Sequence, residues 1–184
     1  MTKAKTNSQK IRALTRAAMM TAISVVIGIV CKSFLNFGSG LFRITFENLP
    51  IILSGIVLGP VAGGTVGIAS DLISYLLSSQ VYPPNLIVTA GAMSVGIVSG
   101  LVAKFIVKKR GTMQIIASGA LAHVVGSMII KPIGLYQFYG LLVLWRIPMY
   151  LVIAPLEILL LCLLLRRSAV ARTFYAIEER KKDE

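Results

Sequence analysis

Six stretches of mostly apolar residues alternate with short polar or turn-forming segments along this chain of 184 residues. A helix that crosses a lipid bilayer needs ~20 mostly apolar residues, and several such stretches are typical of multi-pass membrane proteins. The pattern predicts an all-α integral membrane protein with a single transmembrane domain over residues 1–184. The predicted transmembrane helices cover residues 11–34, 46–58, 61–77, 86–107, 113–133 and 141–165, and a cytoplasmic tail covers residues 166–184.

The second and third apolar stretches are separated only by Gly59 and Pro60. Proline removes a helix donor and glycine weakens a helix, so this pair predicts a tight turn between two antiparallel helices. The second stretch is short for a transmembrane helix, which favours a tilted or partly extended segment.

The composition excludes a soluble globular protein, because 56 % of the residues are hydrophobic and only 14 % are charged. The net charge of +12 comes from 19 basic and 7 acidic residues. In a membrane protein such an excess reports orientation, and we expect no nucleic-acid partner. Fifteen of the 19 basic residues fall near the N terminus, near the turn after the fourth helix or in the C-terminal flank. The positive-inside rule therefore predicts cytoplasmic N and C termini.

The four remaining basic residues lie toward the opposite, outer side and are not topology signals. They are Lys32, Arg43, Lys131 and Arg146. The carboxylates Glu47 and Asp71 are predicted at a similar depth. Ionisable groups inside a membrane are costly, so their default interpretation is a functional site or a structural pair. Arg146 fits either role, because Glu47 and Asp71 are both candidate partners.

Eleven of the 14 aromatic residues are also predicted on the outer side. Interfacial anchors explain many of them, but an anchoring belt is expected at both membrane surfaces. The asymmetry favours a pocket whose aromatic walls stack on a flat ring while cations hold an anion. The matching ligand has a heteroaromatic donor edge at one end and a carboxylate at the other.

Small residues recur every four positions in several predicted helices. In the second to fourth helices the spacing predicts close internal packing at Gly55, Gly59, Gly63, Gly67, Gly96 and Gly100. In the first helix Ala18 and Ala22 show the spacing, with Ala13 and Ala17 one turn earlier. This smooth face is a candidate surface for docking a partner helix.

Motifs for catalysis are absent from the sequence, which contains no P-loop, H-E-x-x-H or G-x-S-G motif. Cys31 and Cys162 lie in separate apolar stretches, so we expect neither a disulfide framework nor a metal site. His123 is the single histidine, and a structural hydrogen bond is its first interpretation. A small intramembrane enzyme or channel that uses His123 and Glu157 stays open as an alternative, as does an assembly protein.

Two segments carry a resemblance to a known family. The stretch L-P-I-x-L-x-G-x-x-x-G-P-x-x-G-x-x-x-G-x-x-x-D-L, from Leu49 to Leu72, follows a basic N terminus and the Ala18-x-x-x-Ala22 face. Together they resemble the substrate-binding S components of energy-coupling factor (ECF) vitamin transporters. The segment R-I-P-M-Y-L-V-I-A-P-L-E, from Arg146 to Glu157, is similar to the last helix of the folate-specific members.

The resemblance implies a non-enzymatic transport protein of the bacterial cell membrane that binds a vitamin from outside and needs no cofactor or metal. It implies docking through the first helix onto an energy-coupling transmembrane protein (EcfT) that carries two ECF ATPases. Ala13, Ala17, Ala18 and Ala22 match the docking motif, and Ala18 and Ala22 are the preferred register. Family pockets are built at the outer ends of the helices and capped by outer loops, here residues 36–44 and 78–85.

Folate fits the residues at the outer side, and riboflavin, which needs no carboxylate-binding cation, is the main rival. We expect cations to hold the glutamate tail of folate, a carboxylate to read the pterin edge, and aromatic rings to form the walls. The candidate cations are Arg43, Lys131 and Arg146, the candidate carboxylates are Glu47 and Asp71, and the candidate wall residues are Tyr136, Phe138, Tyr139, Trp145 and Tyr150.

Overall fold

The computed structural model describes residues 7–37, 42–77, 83–107 and 111–166, which are helical apart from one short hairpin. The hairpin pairs β1 (Asn36–Phe37) with β2 (Phe42–Arg43) in antiparallel register. The α-helices are α1 (Asn7–Phe34), α2 (Asn48–Leu58), α3 (Pro60–Leu77), α4 (Leu86–Leu101), α5 (Thr112–Ala122), α6 (Lys131–Tyr139) and α7 (Arg146–Arg166). The basic residues 108–110, the tail 167–184 and parts of both predicted outer loops lie outside the described residues.

Three irregular helical segments continue or connect these helices. The π-helical segment Val102–Ile106 extends α4, and a second one, His123–Ile130, joins α5 to α6. A 3-10 segment, Gly140–Trp145, joins α6 to α7. The fifth predicted helix therefore continues past residue 133 to Tyr139, because the π-helical segment does not interrupt it.

Four helical runs are long and apolar enough to cross a membrane, and they cover residues 11–34, 60–77, 86–106 and 112–165. The last run has 54 residues, but its direction changes at Gly140, whose φ of 55° is in the left-handed region. Its two arms pack side by side, since a Cβ on Gly119 of α5 would press on Ile158 of α7. The structure thus confirms the prediction of an all-helical membrane protein.

The turn predicted at Gly59 and Pro60 is confirmed. Gly59 ends α2 with a φ of 99°, a conformation that residues with a side chain rarely adopt, and α3 begins at Pro60. The predicted close packing of small residues is also confirmed between α2, α3 and α4, except at Gly59, where an added Cβ would meet nothing within 4 Å. A Cβ on Gly96 would collide with the backbone of Gly63, and one on Gly55 would collide with the carbonyl oxygen of Gly96.

Helix α2 lies at the centre of the bundle. Nine of its 11 residues are buried, which is typical of a helix that is apolar on all sides. Its side chains join those of α3, α4, α5 and α7 in one core, which includes Ile51, Ile52, Val66, Val95, Ile115 and Leu161. The polar end of this core, just before α2, is where the cleft described below opens.

Candidate ligand-binding cleft

A polar cleft opens at one end of the helical bundle, with an empty volume of about 650 Å³ that includes the space open to the outside. Residues from five helices (α1, α3, α4, α6 and α7) and from the segments before α2 and α4 line it. They are Lys32, Thr45, Glu47, Asp71, Leu72, Ser74, Tyr75, Pro84, Asn85, Val88, Thr89, Lys131, Leu135, Arg146 and Tyr150.

Lys131, the first residue of α6, lies almost buried in the cleft wall at 7 % exposure. Its Nζ donates a hydrogen bond to Asn48 Oδ1 at 3.2 Å and lies 3.8 Å from Glu47 Oε1. Gly91 of α4 leaves room for the lysine stem, because a Cβ there would press on Lys131 Cγ. The cation is therefore held by an amide and a carboxylate, in the manner expected of a charge inside a membrane protein.

Glu47 connects this ion pair to α1. Its backbone carbonyl accepts a hydrogen bond from Ser24 Oγ at 2.7 Å. A Cβ on Gly28 would lie 3.0 Å from Glu47 Oε2, so the glycine lets the carboxylate approach the helix closely.

Asp71 of α3 faces Thr89 of α4 across the cleft. Thr89 Oγ1 donates a hydrogen bond to Asp71 Oδ2 at 2.7 Å. The charges of Lys131, Glu47 and Lys32 all act on this carboxylate. Asp71 is thus oriented by a neutral donor and surrounded by both signs of charge.

Two further residues bind neighbouring helices together at the rim. Lys32, in the last turn of α1, donates from Nζ to the carbonyl oxygen of Ser74 at 3.3 Å. Asn85 caps α4, since its Oδ1 accepts from the Ile87 amide at 2.8 Å, and its Nδ2 donates to Gly134 O at 2.6 Å. The positions of α1, α3, α4 and α6 at the cleft are fixed by these bonds.

The structure brings five of the sequence-predicted site residues into the lining and leaves the others elsewhere. Glu47, Asp71, Lys131, Arg146 and Tyr150 line the cleft. Tyr136, Phe138 and Trp145 are not in the lining and have exposures of 53 %, 38 % and 62 %. Tyr139 packs on a small cluster of Val88, Leu135 and Val143. The side chain of Arg43 lies outside the described residues.

Several lining residues were not predicted, and some carried a usable signal. Tyr75 lies one helical turn after Asp71, so it shares a helix face with that carboxylate. Lys32 was one of the four basic residues left unexplained by topology. Thr45 gave no signal, yet it is 2 % exposed and its hydroxyl has no hydrogen-bond partner among the described residues.

A buried pair lies behind the cleft. His123 Nε2 and Glu157 Oε2 are 2.8 Å apart, and both side chains are completely buried. The distance is that of an ion pair, while neither atom has an aligned hydrogen bond in the described structure. His123 also approaches Ser127 Oγ through Nδ1, at 3.4 Å. The ring of His123 lies 6.2 Å, centroid to centroid, from the ring of Tyr150 in the cleft wall.

The four alanines of α1 separate into two pairs. Ala18 and Ala22 are exposed, whereas Ala13 and Ala17 are half-buried, and Ala17 packs against the main core. Within the described chain, the exposed pair is the part of this motif that is free to meet another helix.

Comparisons with known proteins agree on one family. A family model described as "ECF transporter, substrate-specific component" matches residues 12–175. Among curated proteins, "Folate transporter FolT" of Clostridium novyi (strain NT) is 30 % identical over 79 residues, which cover 41 % of this chain and 46 % of that protein. The matched stretch therefore spans about half the length of this relative.

Two solved structures have the same fold as this chain. One is the "Crystal structure of FolT bound with folic acid", with a TM-score of 0.64 and 19 % identity over 90 % of this chain and 93 % of the other. The second is an S component for biotin from an ECF-type ABC transporter, with a TM-score of 0.60 and 20 % identity over 97 % and 95 % of the two chains. At these identities the likeness establishes the fold alone.

Proposed function

Since this chain belongs to the family of substrate-specific components of ECF transporters, we propose that it binds folate outside the cell and delivers it inward. Membership makes the chain a multi-pass protein of the cell membrane that takes part in transport and is not an enzyme. The folate-specific relative over part of the chain supports the choice of vitamin.

The charge pattern of the cleft is the observation that carries the proposal. Lys32, Lys131 and Arg146 supply three cations, and Glu47 and Asp71 supply two carboxylates, within one lining. Folate has two carboxylates on its glutamate tail and hydrogen-bond donors on its pterin ring. The tail therefore matches the cations of the cleft, and the pterin donors match its carboxylates. We assign the tail to Arg146 and Lys131, with Lys32 nearby, because guanidinium and ammonium groups bind carboxylates through charged hydrogen bonds.

We assign the pterin edge to Asp71 or Glu47 and the stacking walls to Tyr150 and Tyr75, which both line the cleft. Asp71 is favoured because Thr89 already orients its carboxylate. The exposed Tyr136, Phe138 and Trp145 fit the alternative role of interfacial anchors, in which amphipathic rings lie at the membrane surface.

We further propose six transmembrane segments with both termini in the cytoplasm. The reversals at Gly59 and Gly140 support this count, because each divides a long apolar region into two packed helices. In this orientation the cleft faces outward, and Lys104 at the end of the α4 run faces the cytoplasm.

The proposed partners are an energy-coupling transmembrane protein and two ECF ATPases. The exposed Ala18 and Ala22 of α1 form the proposed docking face, since small residues let helices approach closely. Ala13 and Ala17 support that face from the half-buried side of the helix.

Calorimetric titration of the purified protein with folic acid, riboflavin and biotin tests the ligand. We expect submicromolar affinity for folic acid and much weaker binding of the other two. Arg146→Ala should weaken folate binding by about tenfold or more, because it removes a charged hydrogen-bond partner. Lys104→Ala, which removes an exposed cation at the other end of the bundle, is the matched control and should bind as the wild type does. Tight riboflavin or biotin binding without folate binding would reject the proposed vitamin.

A further inference from the structure

The completely buried His123 and Glu157 connect two parts of the bundle that the cleft depends on. His123 opens the π-helical segment before α6, and Glu157 lies in the middle of α7. A buried ion is stable only beside a partner of opposite charge or in its neutral form. Because both side chains are completely buried, each one offsets the cost of burying the other.

Helix α7 lacks one backbone hydrogen bond between Glu157 and the cleft. Pro155 lies inside the helix, where it donates no backbone hydrogen bond to the preceding turn. Tyr150 and Arg146, which line the cleft, are on one side of this proline, and Glu157 is on the other. The course of the helix between them is therefore set by side contacts as well as by its own hydrogen bonds.

His123 contacts α7 on both sides of the proline. Its Nε2 lies 2.8 Å from Glu157 Oε2, while its ring packs against Tyr150 with the two planes tilted by 37°. Tyr150 is 6 % exposed, so its ring has little freedom apart from this contact and the cleft.

We propose that the His123–Glu157 pair is a positioning pair, which fixes His123 against α7 on both sides of Pro155 and thereby holds Tyr150 in the wall of the ligand cleft. Glu157 aligns the imidazole, and the imidazole supports the tyrosine ring. The effect on ligand binding rests on the proposed function, but the effect on Tyr150 does not and is measured without a ligand.

The test uses ¹⁹F NMR of the full chain labelled with 3-fluorotyrosine. The chain has six tyrosines, and Tyr150→Phe identifies the Tyr150 signal. Glu157→Gln keeps the shape of the side chain but removes its charge, and we expect it to shift or split that signal. His123→Gln removes the ring that packs against Tyr150 and should also move that signal, and adding Glu157→Gln to it should then move the signal no further. An unchanged Tyr150 signal in Glu157→Gln would overturn the proposal.

Two controls separate positioning from general loss of stability. Gln114→Ala removes a buried side chain that bonds the carbonyls of Ala103 and Val107, and it should lower the melting temperature without moving the Tyr150 signal. Pro155→Ala restores the missing backbone donor. In the Pro155→Ala background, Glu157→Gln should move the Tyr150 signal less than it does in the wild type. An equal shift would show that the effect of the pair on Tyr150 does not depend on Pro155.

The affinity measurement uses whichever of folic acid, riboflavin or biotin the wild type binds. We expect Glu157→Gln to weaken binding by about tenfold, and in a His123→Gln background the same substitution should add little further loss, because the ring that it aligns is gone. In a Tyr150→Ala background Glu157→Gln should add less than a further twofold, because the residue that it positions is gone. Equal losses in both backgrounds would overturn the role of Tyr150. If the wild type binds none of the three vitamins, the proposed ligand class is rejected while the NMR result still decides the pair.

Discussion

At the scale of single residues, the cleft is organised by hydrogen bonds that hold its polar side chains between helices. Asp71 shows this most clearly, because one carboxylate oxygen accepts from Thr89 while a carboxylate has room for further donors. Lys131 is also held in place, with an amide and a carboxylate near its ammonium group. These side chains enter the ligand complex already oriented, which lowers the entropic cost of binding.

Thr89 provides a test of this orientation. We expect Thr89→Val, which keeps the shape but removes the hydroxyl, to weaken folate binding by about tenfold, the loss of roughly one hydrogen bond to a charged group. Thr89→Ser keeps the donor and should stay within about threefold of the wild type. Calorimetric titration measures both. Equal affinities for the valine and serine variants would mean that Thr89 does not orient Asp71 for the ligand.

At the scale of helices, the apolar runs and the Gly59–Pro60 turn were predictable because they follow from local chemistry. The side of α6 that faces the cleft was not. Lys131 and Leu135 are buried, whereas Tyr136 and Phe138, which follow within three residues of Leu135, are exposed. The sequence indicated at which end of the bundle these aromatic residues lie, but the rotation of a helix about its axis depends on packing with its neighbours.

The π-helical segment before α6 was equally invisible in the sequence. His123, Ser127, Lys131 and Leu135 are all buried and four residues apart. In a regular α-helix of 3.6 residues per turn this row would drift around the axis, whereas the wider π-helical turns keep it on one face. The segment therefore aligns the buried histidine with the cleft lysine.

The contact between α2, α3 and α4 provides a test at this scale, since neighbouring glycines differ in what surrounds them. A Cβ on Gly63 would meet backbone atoms of Gly96 and Gly55, whereas one on Gly64 would meet the flexible side chain of Ile97. We expect Gly63→Ala to destabilise the protein by about 2 kcal/mol or more and Gly64→Ala by clearly less. Thermal unfolding in detergent measures the difference. Equal melting temperatures for the two variants would contradict the backbone contact.

At the scale of the whole molecule, the proposed ligand cleft and the proposed docking face lie on different surfaces. The cleft lies at one end of the bundle, and the exposed Ala18 and Ala22 lie near the N-terminal half of α1. Substitutions on the two surfaces should therefore have separable effects.

We expect Ala18→Leu and Ala22→Leu to leave folate affinity unchanged while preventing co-purification with the energy-coupling protein and its ATPases. The larger side chains would hold a partner helix away from the smooth face. Ala90→Leu, at an exposed position of α4, is the matched control and should leave both properties intact. Normal assembly of the Ala18→Leu and Ala22→Leu variants would place the docking surface elsewhere.

The proposed orientation is tested by labelling introduced cysteines in whole cells. We expect Lys104→Cys to resist a membrane-impermeant maleimide, because it faces the cytoplasm, and Pro84→Cys at the cleft rim to react from outside. The background variant lacks Cys31 and Cys162. The reverse pattern of labelling would invert the topology.

The short central helix α2 has a consequence for biogenesis. With 11 residues it is about 16 Å long at 1.5 Å per residue, roughly half the thickness of the hydrocarbon layer. A segment of that length is a poor substrate for independent insertion during synthesis. Because Gly59 and Pro60 fold α3 directly back along α2, the two helices form a hairpin, and we expect this hairpin to enter the bilayer as one unit before the later helices enclose α2.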